Sequence, residues 1–305
     1  MSAFNQINDA VSKTVNAGID TLASSVAQAQ IQHAPFVRGF TDLCANGWQQ
    51  GWHERNGGNL SYRLTPEEAD TVRASLSDPS APWVVLDFSE PTLAGEFFLV
   101  TGAGCYIQNI PNDPLSNIGI VEVNENGSAY RVVWGLAGRQ PTSELPTHLM
   151  VHAIRSSATK GACRVIYHAH PRNVIAMTAV EPLDARTFTR ALWKAMTECI
   201  IAFPEGVGVV PWMVPGGRTI AQASAEQMKH FAAVVWAQHG LFASGPTFDE
   251  TFGLMQTIEK AADIYGRARM MNGGSNDFLN TISDEGLAQI ADELGLDANR
   301  DFLDL

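Results

Sequence analysis

Short apolar runs along the chain follow two spacings, and these predict an alternation of helices and strands. Apolar residues at intervals of three and four predict helices over 1–30, 36–50, 141–157, 172–179, 185–196, 218–230 and 247–272, and a short helix in the acidic tail 276–305. Brief or alternating apolar runs predict strands at 60–64, 97–100, 118–123, 129–134, 163–167, 196–203 and 232–238. Residues 65–95 are rich in Pro, Asp and Ser and predict a loop-bearing excursion. Neither an internal repeat nor a break in composition requires two folding units.

Two histidines follow one predicted strand. The run Cys163–Tyr167 leads into His168 and His170, which strand alternation places on the same face. A third, His239, follows the strand 232–238 and precedes a glycine. Imidazoles at the ends of strands can converge on one metal ion. The alternative is that they are core histidines with satisfied hydrogen bonds.

Two glycine-rich turns adjoin predicted strands. The first is Asn56-Gly57-Gly58-Asn59, before the strand 60–64, and the second is Thr101-Gly102-Ala103-Gly104, after the strand 97–100. Glycines let the backbone approach a ligand closely, and successive backbone N–H groups suit an oxyanion or phosphate. The first turn is equally compatible with a plain tight turn, and the second lacks the ending of a Walker loop.

Two glutamates lie within predicted elements where a carboxylate needs an explanation. Glu144 falls in the first turn of the helix 141–157, on the same helical face as His148 and His152. That face suggests either a second metal site or, as the better interpretation, a surface that packs on the sheet. Glu198 interrupts the apolar run 196–203, where it either pairs with an arginine or takes part in chemistry.

Composition narrows the classes of function. The 305 residues carry a formal net charge of −12, which argues against a nucleic-acid surface. Four scattered cysteines without a Cys-x-x-Cys pair are typical of reduced thiols and argue against a zinc-cysteine site. Neither a membrane-spanning run nor a secretory signal pattern is apparent, so we expect a cytoplasmic protein without membrane or nucleic-acid partners.

Three imidazoles with one carboxylate indicate the pattern of a catalytic zinc site, with three nitrogen ligands and an open position. Together with turns suited to phosphate, they favour retro-aldol cleavage of a sugar phosphate, in which a divalent ion stabilises an enediolate and a carboxylate moves protons. A Schiff-base mechanism is disfavoured because no lysine stands in a comparable motif.

An ordered series of motifs resembles the zinc-dependent class II aldolase/epimerase family, and within it the rhamnulose-1-phosphate aldolases. The series covers roughly residues 35–275. Its members are Gly-Trp-x-Glu-Arg-Asn-Gly-Gly-Asn-Leu (51–60), Val-Thr-Gly-x-Gly (100–104), Trp-Gly-Leu (134–136), Pro-Thr-Ser-Glu-Leu-Pro (141–146), His-x-His (168–170), Thr-Glu-Cys (197–199), Phe-Pro-x-Gly-Val-Gly (203–208), Pro-Trp-Met-Val-Pro-Gly (211–216), His-Gly (239–240) and Ser-Gly-Pro-Thr-x-Asp-Glu-Thr-Phe-Gly-Leu (244–254).

The resemblance implies a role for each matching residue. His168, His170 and His239 would bind one Zn²⁺ per subunit. Glu144 would be the acid/base and would also touch the metal when no substrate is bound, and Glu198 would reach a neighbouring subunit's site. The phosphate would be bound by Asn56, Gly58, Asn59, Gly104, Thr142 and Ser143, with Arg55 nearby.

The same resemblance implies a single α/β domain over 31–275, with three α/β/α layers around a mostly antiparallel central sheet. Residues 1–30 would be a helical extension beyond this domain, with a role in packing, assembly or targeting. The acidic helix or tail would occupy 276–305. The protein would form a fourfold homotetramer and cleave L-rhamnulose 1-phosphate to dihydroxyacetone phosphate and L-lactaldehyde.

Three alternatives remain open within or beside this family. They are a fuculose-1-phosphate aldolase, a pentulose-5-phosphate 4-epimerase, and a non-catalytic adducin-like scaffold, which would be expected to lose the histidines. One residue departs from the pattern: Ala103 stands where serine is expected in the second glycine-rich turn. The missing hydroxyl would weaken phosphate binding by roughly 0.5–1.5 kcal/mol.

Overall fold

The structure is a computed structural model that describes residues 29–73 and 81–305, together with the isolated positions 13, 15, 26 and 76. The helix predicted over 1–30 therefore lies, apart from its last two residues and three isolated positions, outside the described residues.

One mixed sheet forms the centre of the molecule, and its nine strands lie in the order β2-β5-β4-β3-β1-β6-β9-β8-β7. Every neighbouring pair is antiparallel except β7 and β8, which are parallel. The strands are β1 Asn59–Arg63, β2 Val84–Val85, β3 Phe97–Thr101, β4 Ile118–Val123, β5 Ala129–Gly135, β6 Val165–Ala169, β7 Gly208–Val210, β8 Ala233–Trp236 and β9 Gly240–Gly245.

Helices cover both faces of this sheet. They are α1 Pro35–Gln49, α2 Pro66–Arg73, α3 Pro114–Asn117, α4 Leu145–Ala158, α5 Arg172–Met177, α6 Ala185–Ala195, α7 Glu198–Ala202, α8 Arg218–Gln227, α9 Phe248–Met271 and α10 Asp284–Leu294. Local signals explain where the long ones begin: the Thr247 hydroxyl accepts from the Glu250 N–H at the start of α9, and Ser283 caps α10 in the same way. Gly295, in the left-handed region, ends α10.

Strand alternation divides the core between the two faces. Val165, Tyr167 and Ala169 of β6 pack into the larger cluster with α1, α6 and α9. Ile166, the residue before Tyr167, joins the opposite cluster with side chains of α4 and α8. A single, mostly antiparallel sheet between two helical layers confirms the predicted α/β/α fold class.

The central strands bring distant parts of the chain together. Asn59 at the start of β1 pairs with His168 of β6, and His168 in turn pairs with Phe242 of β9. Gly102, just after β3, forms a bridge with Pro141, just before α4. Four segments therefore meet at one end of the central strands: those before β1, after β3, before α4 and after β6. The side chains of Asn59 and His168 point to the face of the sheet that α4 covers.

Two of the predicted elements were wrong or incomplete, and two strands were missed. The run 196–203 contains the short helix α7 rather than a strand, because the neighbours Cys199 and Ile200 both turn inward, against the alternation of a strand, while Ile201 stays exposed. The strands β7 and β9 were not predicted, and the excursion 65–95 contains α2 and β2. No helix among the described residues is long and apolar enough to cross a membrane.

Candidate active site

Three imidazoles converge at the end of the central strands, where β6 ends and β9 begins. One ring nitrogen from each of His168, His170 and His239 lies within 4.8 Å of the others, and the Nε2 atoms of His168 and His239 are 3.4 Å apart. Two nitrogens bound at ~2.0–2.1 Å to one tetrahedral ion would be separated by about 3.3–3.4 Å. The separation of this pair is therefore that of two nitrogens on one metal ion.

The outer nitrogens of two of these rings have partners that orient the inner ones. His168 Nδ1 lies 3.2 Å from the Leu241 carbonyl oxygen, and His170 Nδ1 lies 2.6 Å from the Glu54 carboxylate. Both partners are acceptors, so Nδ1 donates and the lone pair is on Nε2. The His170 Nε2 atom is buried and has no hydrogen-bond partner. An unpartnered buried lone pair beside two other imidazole nitrogens is what a metal ligand requires.

A glycine allows the rings to approach the backbone. A Cβ at Gly240 would lie 2.3 Å from the Ala169 carbonyl oxygen and 3.0 Å from atoms of both the His168 and the His170 ring. Any side chain at this position would therefore displace the two imidazoles.

Burial keeps two of the three converging rings, His168 and His239, in their neutral form. Desolvation, and then the neighbouring imidazoles His170 and His239, lower the pKa of His168 well below its usual value. Desolvation, followed by His170, lowers the pKa of His239 to about 4. Neutral imidazoles are the form that binds a cation, so these two rings could bind a metal at neutral pH.

Glu144 lies beside the histidines at the N-cap position of α4. Its side chain is buried, and Oε2 is 3.9 Å from His168 Nε2. The Asn59 amide Nδ2 donates to the same oxygen at 2.8 Å, and the Thr142 hydroxyl accepts from the Glu144 N–H at 3.3 Å. Desolvation raises the pKa of Glu144, while the bond from Asn59 opposes that rise. A carboxylate with a raised pKa beside a metal-ligand set is suited to proton transfer.

A family model described as "Class II Aldolase and Adducin N-terminal domain" matches residues 38–266. The chain belongs to this class II aldolase family. The match contains Glu144 and the three histidines, so the converging side chains all lie within the shared region.

Sequence relatives of this class II aldolase cover most of its length. A rhamnulose-1-phosphate aldolase of Pectobacterium atrosepticum is 43% identical over 262 residues, which is 86% of this chain and 94% of the relative. A rhamnulose-1-phosphate aldolase of Escherichia coli O1:K1 is 44% identical over 263 residues, with the same coverage of both chains.

Solved structures share the fold. A sugar-phosphate aldolase from Thermotoga maritima superposes with a TM-score of 0.64 at 27% identity, over 79% of this chain and 97% of that one. An L-fuculose 1-phosphate aldolase superposes with a TM-score of 0.55 at 20% identity, over 86% and 97%. The second likeness supports the fold alone.

The residues predicted to bind phosphate lie around the same end of the sheet in this aldolase. Asn59 is buried with its amide on Glu144, Thr142 is buried, and Asn56, Gly104 and Ser143 are exposed. Backbone contacts connect these segments: the Thr142 N–H donates to the Thr101 carbonyl. Their role in phosphate binding stays a prediction.

Gly58 is required by its surroundings. Its φ is +78°, and a Cβ there would lie 2.3 Å from the His53 ring and 2.8 Å from the His168 carbonyl oxygen. The glycine therefore brings the first glycine-rich turn against β6.

Glu198 lies apart from this group in the aldolase chain. It is the exposed first residue of α7 and lines a separate cavity of about 770 Å³ with Arg172, Glu259, Lys260 and Arg267. The tertiary structure thus does not join it to the three histidines of its own chain, and its predicted role at a neighbouring site stays a prediction.

Sequence reasoning missed the hydrogen-bond partners of the three converging histidines. Glu54, which orients His170, lies within the motif 51–60, but an exposed carboxylate there carries no sequence signal of its contact. The alternative of a second metal site at Glu144, His148 and His152 is not supported, because metal-ligating side chains of the described residues converge only at the three-histidine group.

Proposed function

We propose that this class II aldolase cleaves L-rhamnulose 1-phosphate to dihydroxyacetone phosphate and L-lactaldehyde. The observation that carries the proposal is the convergence of three imidazoles with the carboxylate of Glu144, 3.9 Å from His168 Nε2. A non-catalytic scaffold would not need this arrangement. The choice of sugar is supported by the rhamnulose-1-phosphate aldolases that are 42–44% identical over 86% of the chain.

The metal would be bound by His168, His170 and His239, and we propose that it is Zn²⁺, one per subunit. Three nitrogen ligands and their spacing support zinc. Once bound, the ion supplies Lewis acidity that polarises the carbonyl and hydroxyl oxygens of the substrate.

Glu144 would transfer the proton at the carbon that is freed by cleavage. When the carbon–carbon bond breaks, the hydroxyl of the aldehyde half gives its proton to the Glu144 carboxylate and the ketone half keeps the electron pair, which then takes that proton from Glu144. The carbon of the ketone half thus gains a proton, and in the reverse direction a carboxylate removes it. Asn59 points the Oε2 atom of Glu144 toward the imidazoles, and burial keeps bulk water from this carboxylate.

The phosphate would be bound by backbone and hydroxyl donors of Asn56, Gly58, Asn59, Gly104, Thr142 and Ser143. The Ala103 N–H would not contribute, because it donates to the Gln140 carbonyl at 2.8 Å. A chain of net charge −12 has no general attraction for anions, so local donors must supply phosphate binding. We place this catalytic unit in residues 31–275 of a cytoplasmic protein.

The decisive experiment is a substrate panel with a coupled assay for dihydroxyacetone phosphate. The purified protein loaded with zinc should release it fastest from L-rhamnulose 1-phosphate, compared with L-fuculose 1-phosphate. Epimerisation of L-ribulose 5-phosphate should be negligible. Chelation should abolish turnover, and zinc should restore it. Absence of dihydroxyacetone phosphate from the first substrate, in protein with about one zinc per chain, would overturn the proposal.

We also propose a homotetramer in which Glu198 completes the site of a neighbouring subunit. The proposal is supported by the exposed position of Glu198, away from the histidines of its own chain. Mixing subunits with Glu144→Gln and subunits with Glu198→Gln tests it. Random assembly should restore both residues at about a quarter of the sites, so activity returns. If each site uses its own Glu198, mixing restores nothing, and the mass in solution tests the tetramer independently.

A further inference from the structure

A chain of buried polar side chains runs from Glu144 into the interior between β1 and α4. Asn59 donates its amide to Glu144 at 2.8 Å, and the same amide's Oδ1 contacts His148 Nε2. Beyond it, the Ser61 Oγ lies 2.7 Å from His148 Nδ1 and 2.8 Å from His152 Nε2. Ser61 and both histidines are fully buried.

Helix and strand geometry explains why these residues meet. Asn59 and Ser61 are two apart on β1 and therefore lie on one face, about 6.8 Å along the strand. His148 and His152 are four apart on α4 and lie about one turn, roughly 5.4–6 Å, along the helix. The two pairs thus have similar spacings, which lets a polar row of the helix interlock with a polar row of the strand.

The proton positions in this chain follow from its two ends. At one end the Glu144 carboxylate accepts from Asn59 Nδ2, so Asn59 Oδ1 must accept, and His148 must donate from Nε2. His148 Nδ1 then accepts from the Ser61 hydroxyl, and Ser61 in turn accepts from His152 Nε2. At the far end His152 Nδ1 is buried without a partner, which agrees with an unprotonated nitrogen there.

Both rings are neutral, as this direction requires. Desolvation lowers the pKa of His148 to about 3. For His152, desolvation and then the neighbouring His148 ring lower the pKa well below its usual value. Apolar rings surround them, since Phe242 packs beside His148 and Phe98 beside His152. Each ring therefore has one proton, and every donor in the chain points toward the carboxylate.

We propose that His148 and Ser61 are positioning residues for Glu144, with His152 setting the direction of the Ser61 hydroxyl. The His148 N–H prevents the Asn59 amide from flipping, because a flipped amide would turn its oxygen toward the carboxylate. Ser61 keeps His148 in the tautomer that donates from Nε2. This inference rests on the acid/base role of Glu144 in the proposed function.

The test compares two replacements of His148 in zinc-loaded protein. His148→Gln keeps an N–H donor close to the Nε2 position, whereas His148→Phe keeps a buried ring of similar size and removes both nitrogens. We expect kcat to fall by about ten- to a hundredfold in His148→Phe, with KM and zinc content unchanged, and most of kcat to return in His148→Gln. A merely structural role predicts the opposite order, since Phe suits the apolar surroundings better.

Exchange of the hydroxymethyl protons of dihydroxyacetone phosphate with D₂O isolates the step assigned to Glu144. Wild-type exchange and cleavage must be present first, and their absence would overturn the proposed function rather than the positioning role. Given wild-type exchange, His148→Phe should slow it as much as it slows cleavage. In a Glu144→Gln background, His148→Phe should cause no further loss, and an equal loss in both backgrounds would overturn the proposal.

Ser61→Ala provides a second variant if His148→Phe fails to fold. Its matched control is Ser244→Ala, because Ser244 is also a buried strand serine with a hydroxyl hydrogen bond, to the Ala232 carbonyl at 2.8 Å, outside the chain. Ser61→Ala should lower kcat severalfold, while Ser244→Ala should affect stability alone. Equal kcat in the two variants at equal folded fraction would count against a positioning role.

Discussion

At the scale of single residues, small geometric demands define the candidate site. Glu54 and the Leu241 carbonyl decide which nitrogens of two histidines face inward. Gly240 lets the His168 and His170 rings approach the backbone, and Asn59 points one oxygen of Glu144 toward them. Each contact is local, but none joins residues that are neighbours in the sequence.

Glu144→Gln should separate proton transfer from metal binding. The amide preserves size and can still accept from Asn59, but it cannot take a proton. We expect turnover to fall by about 10²- to 10⁴-fold with zinc content unchanged, as measured by the dihydroxyacetone phosphate assay and metal analysis. The control is Glu181→Gln, which alters another buried carboxylate, paired with Arg269. Wild-type turnover in Glu144→Gln would remove this residue from the acid/base role.

Gly240→Ala should weaken metal binding. The added methyl group would contact the Ala169 carbonyl and push both imidazoles apart. We expect a clear loss of zinc affinity in a competition titration with a chromogenic chelator, along with some loss of stability. Gly253→Ala is the matched control, because its Cβ would meet nothing within 4 Å and Ala favours the helix α9. Unchanged zinc affinity in Gly240→Ala would contradict the close-approach argument.

At the scale of elements, β6 connects the metal site to the first glycine-rich turn. Alternation sends His168 to the α4 face and Tyr167 to the α1 face, where its hydroxyl lies 2.7 Å from His53 Nε2. His53 Nδ1 in turn lies 3.0 Å from the Gly57 carbonyl oxygen. Gly47 of α1 makes this possible, since a Cβ there would lie 2.0 Å from the Tyr167 hydroxyl.

Tyr167→Phe should loosen the turn without disturbing the metal ligands. The change leaves His53 Nε2 buried without a donor, at a cost of about 1–3 kcal/mol in the free energy of unfolding. If the turn binds phosphate, KM for the sugar phosphate should rise severalfold while kcat changes little in steady-state kinetics. Tyr62→Phe is the control, because Tyr62 is a buried strand tyrosine that donates to Glu68 instead. An equal KM in both variants would refute the idea that the Tyr167 hydroxyl supports the first glycine-rich turn through His53.

At the scale of the whole molecule, buried neutral histidines link stability to pH. Desolvation lowers the pKa of His53 to about 4 and that of His148 to about 3. Above the unfolded value near 6.5 these rings are neutral in both states, so they contribute no dependence on pH. Below that value, the unfolded chain binds protons at these rings and the folded chain does not. The free energy of unfolding therefore decreases as the pH is lowered, until the folded pKa values are reached.

Zinc-free protein should therefore lose stability between about pH 6.5 and 4, by about 1.4 kcal/mol per pH unit for each such ring. The raised pKa of Glu144 acts in the opposite sense over part of this range. Urea unfolding at stepped pH measures the slope, and His148→Phe should reduce it by about one proton. An unchanged slope in that variant would show that His148 is not buried neutral.

The sequence was sufficient for the family and the set of histidines because the motifs keep their order along the chain, and the fold class followed from the resemblance that those motifs carry. The short strands β7 and β9 could not be predicted, since segments of three to six residues with only two or three apolar side chains beside glycines have no distinctive period. The helix at Glu198 was missed for a related reason: five residues are too few to show which face is buried.

Sequence by itself determined which side chains could bind a metal and move a proton: His168, His170 and His239 with Glu144. Only the tertiary structure decided how they are oriented. It does so through the pairing of Asn59 with His168, and through the hydrogen bonds of Ser61 with His148 and His152 of α4. Proton positions on buried rings depend on partners far apart in the chain, such as Ser61 and His152, which are 91 positions apart. Such partners are chosen by strand register and helix packing, which composition and spacing do not specify.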